Sequence, residues 1–227
     1  METSYMERVV EPELMDDEDQ ALAYAQADFS TSDAAIVERI RALFPTSLGG
    51  RVLDLGCGPG NICHRLALAF PAEQVLGVDG SAAMLQLARK KRDEAGLVPE
   101  RLDYRETFLP TDALPERHFS AVVSNSLLHH LHDPGVLWRT LLEAAAPGAR
   151  IYIKDLRRPP SLPAAEELVR RYVHEEPEIL QVDFRNSLYA AFTLEEVQAQ
   201  LAGHGLDHLQ SAAVDDRYLE IWGTMPG

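Results

Sequence analysis

Residues 52–60 read Val-Leu-Asp-Leu-Gly-Cys-Gly-Pro-Gly, an apolar strand carrying Asp54 and breaking into Gly56, Gly58 and Gly60. Glycine lets the backbone take positive φ and a ligand approach closely. Residues 61–70 follow with Ile62, Leu66, Ala69 and Phe70 on one helical face before Pro71, so the loop joins a strand end to a helix N-terminus, the setting for a nucleotide-sized ligand. A second acid, Asp79, ends the run Leu76-Gly77-Val78-Asp79-Gly80-Ser81; a carboxylate there can take both ribose hydroxyls of a nucleoside. A third chemical string is Ser124-Asn125-Ser126-Leu127-Leu128-His129-His130-Leu131-His132-Asp133-Pro134. An imidazole near neutrality, from His129 or His130, suits removal of a proton from a hydroxyl, thiol or amine.

A nicotinamide oxidoreductase is one competing reading, because such enzymes also end a strand in an acid. The dinucleotide fingerprint, however, places its third glycine three residues after the second, where this chain has Asn61 and an extra Gly60 instead. The spacing of Asp54, Gly56, Gly58 and Gly60 resembles class I S-adenosylmethionine-dependent methyltransferases. That resemblance extends to Leu76–Ser81 with Met84, Leu85 and Ala88, to Phe119–Leu131, and to Ala146-Pro147-Gly148-Ala149. It covers residues 34–155 well.

The resemblance implies S-adenosyl-L-methionine as cofactor, held by Asp54, Gly56, Cys57, Gly58 and Gly60 at the methionine end and by Asp79, Gly80 and Ser81 at the ribose. Met84 with Thr107, Phe108 and Leu109 would form the adenine slot. The chain departs from the family there, with Asp112-Ala113 set directly before Leu114-Pro115 and Phe119-Ser120 where Phe-Asp is expected. Asn125 would bond the cofactor, and His129 and His130 would face the methyl acceptor. Methyl transfer from a sulfonium is an in-line displacement, so alignment and exclusion of water dominate and a base is optional. Tyr24, Phe184, Tyr189 and Phe192 are candidate contacts for a small-molecule acceptor. No metal is expected, since His129, His130, His132 and Asp133 lack a second ligand cluster to complete a zinc site. The alternative from another class is a cofactor-binding regulatory module without turnover.

At 227 residues with 46% hydrophobic side chains, one α/β domain with a lid is expected. The formal charge of −15 argues against a nucleic-acid surface, which needs a basic stripe. Arg89-Lys90-Lys91-Arg92 reads as the cationic end of a helix, and Arg157-Arg158 as a solvated loop or a grip on an anionic substrate. Cys57 and Cys63 fit neither a disulfide framework nor a metal pair and read as reduced packing residues. No run of eighteen apolar residues suggests a membrane span, and the first residues lack the charge and apolar core of a secretory signal, which predicts a cytoplasmic protein. Oligomeric state is not encoded in any of these features.

Residues 1–33, with Asp16-Asp17-Glu18-Asp19, read as an N-terminal lid or tail, and 34–227 as the catalytic domain. A helix is expected from Ser32 or Asp33 to Pro45, with Ile36, Val37, Ile40 and Leu43 inward. Strands and helices then alternate, which implies a parallel sheet covered on both faces. Strands are expected at 52–55, 75–78, 102–108, 121–124 and 149–154. Ser81 and Asp133 cap helices, the second closed by Pro147-Gly148, and Thr193 with Glu196 forms a capping box. Residues 159–192, with four prolines, read as an irregular lid insertion. Strands near 206–212 and 218–222 complete a Rossmann-like, doubly wound seven-stranded sheet. The family resemblance implies its order, 3-2-1-4-5-7-6, mostly parallel with an antiparallel terminal hairpin.

Overall fold

The structure is a computed structural model that describes residues 6–11, 24, 27–111 and 113–227. Its sheet has seven strands in the order β3-β2-β1-β4-β5-β7-β6, as expected. The strands are β1 (Arg51–Leu55), β2 (Gln74–Asp79), β3 (Leu102–Glu106), β4 (Phe119–Asn125), β5 (Ala145–Leu156), β6 (Gln210–Ala213) and β7 (Tyr218–Thr224). The first five are parallel, while β7 runs antiparallel to both β5 and β6. The helices are α1 (Ser30–Leu43), α2 (Asn61–Ala69), α3 (Ala82–Glu94), α4 (Gly135–Ala144), α5 (Leu162–Tyr172), α6 (Glu178–Ala190) and α7 (Leu194–Gly203).

Each face of the sheet has its own core. Ile36, Val37, Ile40, Leu66 and Leu85 pack against Val52, Val75 and Val123 on one side. Leu137, Trp138, Leu141, Val197 and Leu201 pack against Leu53, Val122 and Ile153 on the other. Alternate residues of β1 and β4 therefore feed opposite cores, as a strand covered on both faces requires. Trp138 is fully buried, and its indole N–H donates to Gln200 Oε1 at 3.0 Å, so its polar edge carries no desolvation penalty.

Several boundaries differ from the sequence expectation. β5 begins at Ala145, before Pro147-Gly148, so α4 ends at Ala144 and that pair lies inside the strand. The register between β4 and β5 shifts between Phe119 and Ala121, an irregularity that accommodates the extra residues. The segment 159–192 is not irregular but mainly two helices, α5 and α6. Pro163 lies in the first turn of α5 and Pro177 is the N-cap of α6, where a missing N–H costs nothing. The Ser161 hydroxyl accepts from Ala164 N, and Ala165, Leu168 and Val169 pack with Leu156, Leu188 and Ala191. Each fully buried aliphatic side chain there contributes about 1.5–3 kcal/mol, which holds the helix pair over the sheet's carboxyl end.

Arg158 neither sits in a solvated loop nor reaches a substrate. It is buried, its Nη2 lies 2.5 Å from Glu196 Oε1 and its Nη1 donates to Ala191 O. Lys91 and Arg92 do occupy the last turn of α3. Of the expected tail 1–33, the acidic run 16–19 lies outside the described residues, as does Asp112, and α1 begins three residues before Asp33. Residues 6–11 lie against α6 and the turn after β4: Val9 N donates to Tyr189 O, and the Arg8 guanidinium donates to Ala190, His129 and Leu131 carbonyls.

The expected capping box is formed, with Glu196 N donating to Thr193 Oγ1 at 3.2 Å and Thr193 N to Glu196 Oε2 at 2.8 Å. Glu196 also anchors Arg158, so this helix end ties α7 to the residues that follow β5. Thr193→Ala should lower stability by about 1 kcal/mol and the melting temperature by roughly 2–4 °C, measured by urea and thermal unfolding. An unchanged midpoint would show that the box contributes nothing.

Candidate functional site

The carboxyl ends of β1, β2, β4 and β5 open into one cavity of about 670 Å³. Its floor is the glycine loop. Gly56 N and Cys57 N both donate to Val78 O, at 2.9 and 3.0 Å, which stitches the loop to β2. Gly56 has φ +70°, and a Cβ there would lie 2.8–3.0 Å from Leu127, so the loop can approach the β4 turn only without a side chain. Gly60, φ +76°, is the N-cap of α2.

Asp79 closes β2 and holds the loop in place. Its Oδ2 accepts from Gly58 N at 2.7 Å and its Oδ1 from Ser81 N at 2.8 Å. Asp79 also borders the cavity, and a carboxylate oxygen can accept more than one hydrogen bond. Ser81 Oγ accepts from Met84 N at 3.3 Å, which caps α3 and turns Met84 toward the cavity. Thr107, Phe108 and Leu109 form the adjoining wall, with Phe108 57% exposed.

Asp54 lies deeper, 1% exposed, and accepts from the Cys63 thiol at 3.0 Å. Burial pushes its carboxyl up to about 7; the thiol hydrogen bond opposes this, while the charges of Asp79 and Asp33 add to it. Asp33, from α1, also borders the cavity and is pushed up by burial to about 6 despite Arg65 and Lys91 nearby. A wall of buried, half-neutral carboxyls favours a ligand that brings positive charge.

The opposite wall is built by the turn after β4, where Leu128–His130 form one 3-10 turn. Asp155, near the end of β5, organises it: Oδ2 accepts from Leu128 N at 2.7 Å, and Oδ1 lies 2.5 Å from His129 Nδ1. Burial alone would lower the His129 pKa, but Asp155 and Glu11 outweigh it and the net shift is upward. The His129 and His130 rings stand 4.2 Å apart. Glu11 reaches between them, its Oε1 at 3.6 Å from His129 Nε2 and 3.2 Å from His130 Nδ1. Burial raises the Glu11 pKa, against the attraction of His129.

Most residues anticipated from the sequence meet here. Asp54, Gly56, Cys57, Gly58, Asp79, Gly80, Ser81, Met84, Thr107, Phe108, Asn125, His129 and His130 all border the cavity, as do Tyr24 and Phe184. Gly60 shapes the loop from behind. Cys57 and Cys63 are free and buried. Tyr189 and Phe192 do not reach the cavity. Tyr189 packs on the cluster under α5 and α6 with its hydroxyl donating to Glu166 at 3.0 Å, and Phe192 is buried in the main core with Arg8 stacked 4.0 Å over its ring. No motif or spacing singled out Asp155, Glu11, Lys154, Asp183, Arg217 or Tyr218. A strand-final Lys154-Asp155-Leu156 was the one available hint, since strand ends of a parallel sheet border the ligand crevice.

A family model described as a methyltransferase domain matches residues 47–207. The trans-aconitate 2-methyltransferase of Variovorax paradoxus is 34% identical over 142 residues, 62% of this chain and 51% of that protein. The 27-O-demethylrifamycin SV methyltransferase of Amycolatopsis mediterranei is 28% identical over 185 residues, 80% of this chain and 62% of that protein. The chain thus spans about half to two thirds of the length of these relatives. A solved SAM-dependent methyltransferase from Aquifex aeolicus superposes with a TM-score of 0.66 over 92% of this chain and 98% of that one, at 17% identity. Phosphoethanolamine N-methyltransferase 2 of Haemonchus contortus, solved with phosphomonomethylethanolamine and S-adenosylhomocysteine, gives 0.71 over 92% of this chain and 58% of that one, at 16% identity. With the family model spanning most of the sheet and its strand order matched throughout, the chain belongs to the methyltransferase-domain family.

Proposed function

We propose that this chain transfers a methyl group from S-adenosyl-L-methionine to a small-molecule acceptor in the cytoplasm. The observation that carries the reading is the shared cavity. Asp79 borders it at the carboxyl end of β2, where a carboxylate can bind a ribose diol, Asp54 lies buried beside the glycine loop, and the His129–His130 turn faces them from the β4 end. The relatives named above act on trans-aconitate and on a demethylrifamycin, both small molecules, and a net charge of −15 disfavours nucleic acid. Among the described residues no helix is long and apolar enough to cross a membrane.

In this reading the adenosine lies along Asp79, Met84 and Phe108, and Asn125 and Asp54 receive the methionine end. The methyl group then points toward the β4 turn. His129 and His130 contact the acceptor's nucleophilic atom, and Tyr24 and Phe184 close the apolar part of the cavity. Holding acceptor, methyl and sulfur in line supplies roughly 7–11 kcal/mol of barrier reduction. Proton removal adds less, about 10²- to 10⁴-fold. The helices α5 and α6 and residues 6–11 form the cover that excludes water.

Three measurements test this. Calorimetry should show Asp79→Ala weakening S-adenosylmethionine binding about 10- to 100-fold, the value of one or two hydrogen bonds to a charged group; undiminished affinity would sink the assignment. Asp54 supplies a pH signature. Its raised pKa means the ligand-free fold binds an extra proton, so stability falls as pH rises from about 4 toward about 7. A cationic ligand instead requires the carboxylate, so cofactor affinity should fall as pH drops below about 7, by at most about tenfold per unit. Asp54→Asn should flatten that profile, and an unchanged slope would remove Asp54 from the site. Finally, His130→Ala should reduce turnover on an accepted substrate without abolishing it, while tight cofactor binding with no turnover across a broad acceptor screen would favour a regulatory binding module.

A further inference from the structure

Three side chains on the acceptor side converge on one point that methyl transfer alone does not require. Glu11 Oε1, His129 Nε2 and His130 Nδ1 lie close together, with Glu11 Oε1 at 3.6 Å from the first nitrogen and 3.2 Å from the second; the three ligand atoms all fall within 4.8 Å of one another. A tetrahedral ion bound at about 2.0–2.2 Å to nitrogen and oxygen separates its ligand atoms by about 3.3–3.6 Å, which is the spacing to Glu11. We propose that Glu11, His129 and His130 form a binding site for a divalent transition-metal ion of the zinc type, with three protein ligands and a fourth position toward the cavity.

Further observations support the assignment. Glu11 Oε1 is buried and accepts no hydrogen bond, an expense that a bound cation removes. His129 Nδ1 is engaged by Asp155, the outer carboxylate that fixes a ligating imidazole's tautomer and leaves Nε2 free to bind. Glu11 is itself held from behind, Ser187 Oγ donating to its Oε2 at 3.3 Å. Asp155 and Asp183 add negative charge around Glu11, which favours a cation at this point. Both histidines border the cavity, which places the fourth position on the acceptor side. Two imidazoles and one carboxylate with an open position match a catalytic rather than a structural zinc set.

The binding site rests on this geometry alone. The ion's use, lowering the pKa of an acceptor hydroxyl or thiol bound at the fourth position, rests on the methyl-transfer reading. The neighbours His132 and Asp133 are committed elsewhere, His132 Nε2 to the Glu11 carbonyl and Asp133 to Arg139 and Gly135 N.

The test is titration of the metal-stripped full chain with ZnCl₂ by calorimetry, with the visible spectrum of the Co²⁺-loaded protein as a second readout. The wild type should take up one equivalent. Asp155→Asn should bind about 10- to 100-fold more weakly, and Glu11→Gln and His130→Asn more weakly still with loss of the Co²⁺ bands, while His208→Ala, at an exposed position, should match the wild type. Should Glu11→Gln misfold by circular dichroism, His130→Asn and the Co²⁺ spectrum decide the matter. Zinc uptake no tighter in the wild type than in the ligand variants, or a Co²⁺ spectrum that none of them changes, would overturn the site. S-adenosylmethionine binding measured on the same samples separates the two ideas: metal uptake without cofactor binding sinks the methyl-transfer reading and leaves the metal site standing.

Discussion

The Asp79 carboxylate, shared between Gly58 N and Ser81 N, is the contact on which the cofactor half of the molecule depends. It bridges the loop after β1 to the helix after β2, across the crossover where a parallel sheet places its ligand. A carboxylate accepting two backbone N–H groups is worth more than neutral hydrogen bonds of the same number. Because the loop and α3 are both positioned by it, the glycines, the Ser81 cap and Met84 act as one unit. Gly56 completes that unit by letting Leu127 approach, which joins the cofactor floor to the acceptor wall.

Asp155 does for the histidine wall what Asp79 does for the floor. It sits near the carboxyl end of β5, is 1% exposed, and fixes the Leu128 amide, the Leu156 amide and the His129 ring together. A buried charge is costly unless fully hydrogen-bonded, and Asp155 meets that condition through these partners. The consequence is a pair of imidazoles held rigidly against the cavity, with Glu11 from the first described segment closing over them. The two walls thus differ in electrostatic character: Asp54 and Asp33 are carboxyls driven toward neutrality by burial, while His129 is drawn toward positive charge by Asp155 and Glu11.

The two helices α5 and α6 show why a cover can be read incorrectly from its residues. Prolines at 159, 160, 163 and 177 suggested an irregular insertion, yet all four precede a helix or lie in a first turn, where proline starts a helix rather than breaking it. Tyr189 and Phe192 were equally ambiguous. Aromatic residues in a cover can face a ligand or its supporting core; for Tyr189 the choice is made by the rotation of α6 about its axis, set by Leu180, Leu188 and Ala190 packing inward, and for Phe192, beyond that helix, by its bridge to Arg157. Arg158 illustrates the same limit for charge: a basic pair beside a site looks like an anion grip until Glu196, from α7, claims its second member.

What the sequence alone determined was local and periodic. Glycine spacing, an acid at a strand end, apolar periods of two and of 3.6, and the caps at Ser81 and Thr193 each act over a few residues, so the strands, most helices and the residues that border the cavity from the glycine loop and β2 were legible from them, while the strand order came from the family resemblance. Tertiary structure decided whatever depends on residues distant in the chain meeting at one point. Glu11 carries no motif and is far from His129 and His130 in sequence, and Asp155 belongs to a strand whose apolar run conceals it. Their roles exist only because the parallel sheet brings its strand ends together and the N-terminal segment is laid across them, a convergence set by the packing of the whole chain rather than by any stretch of it.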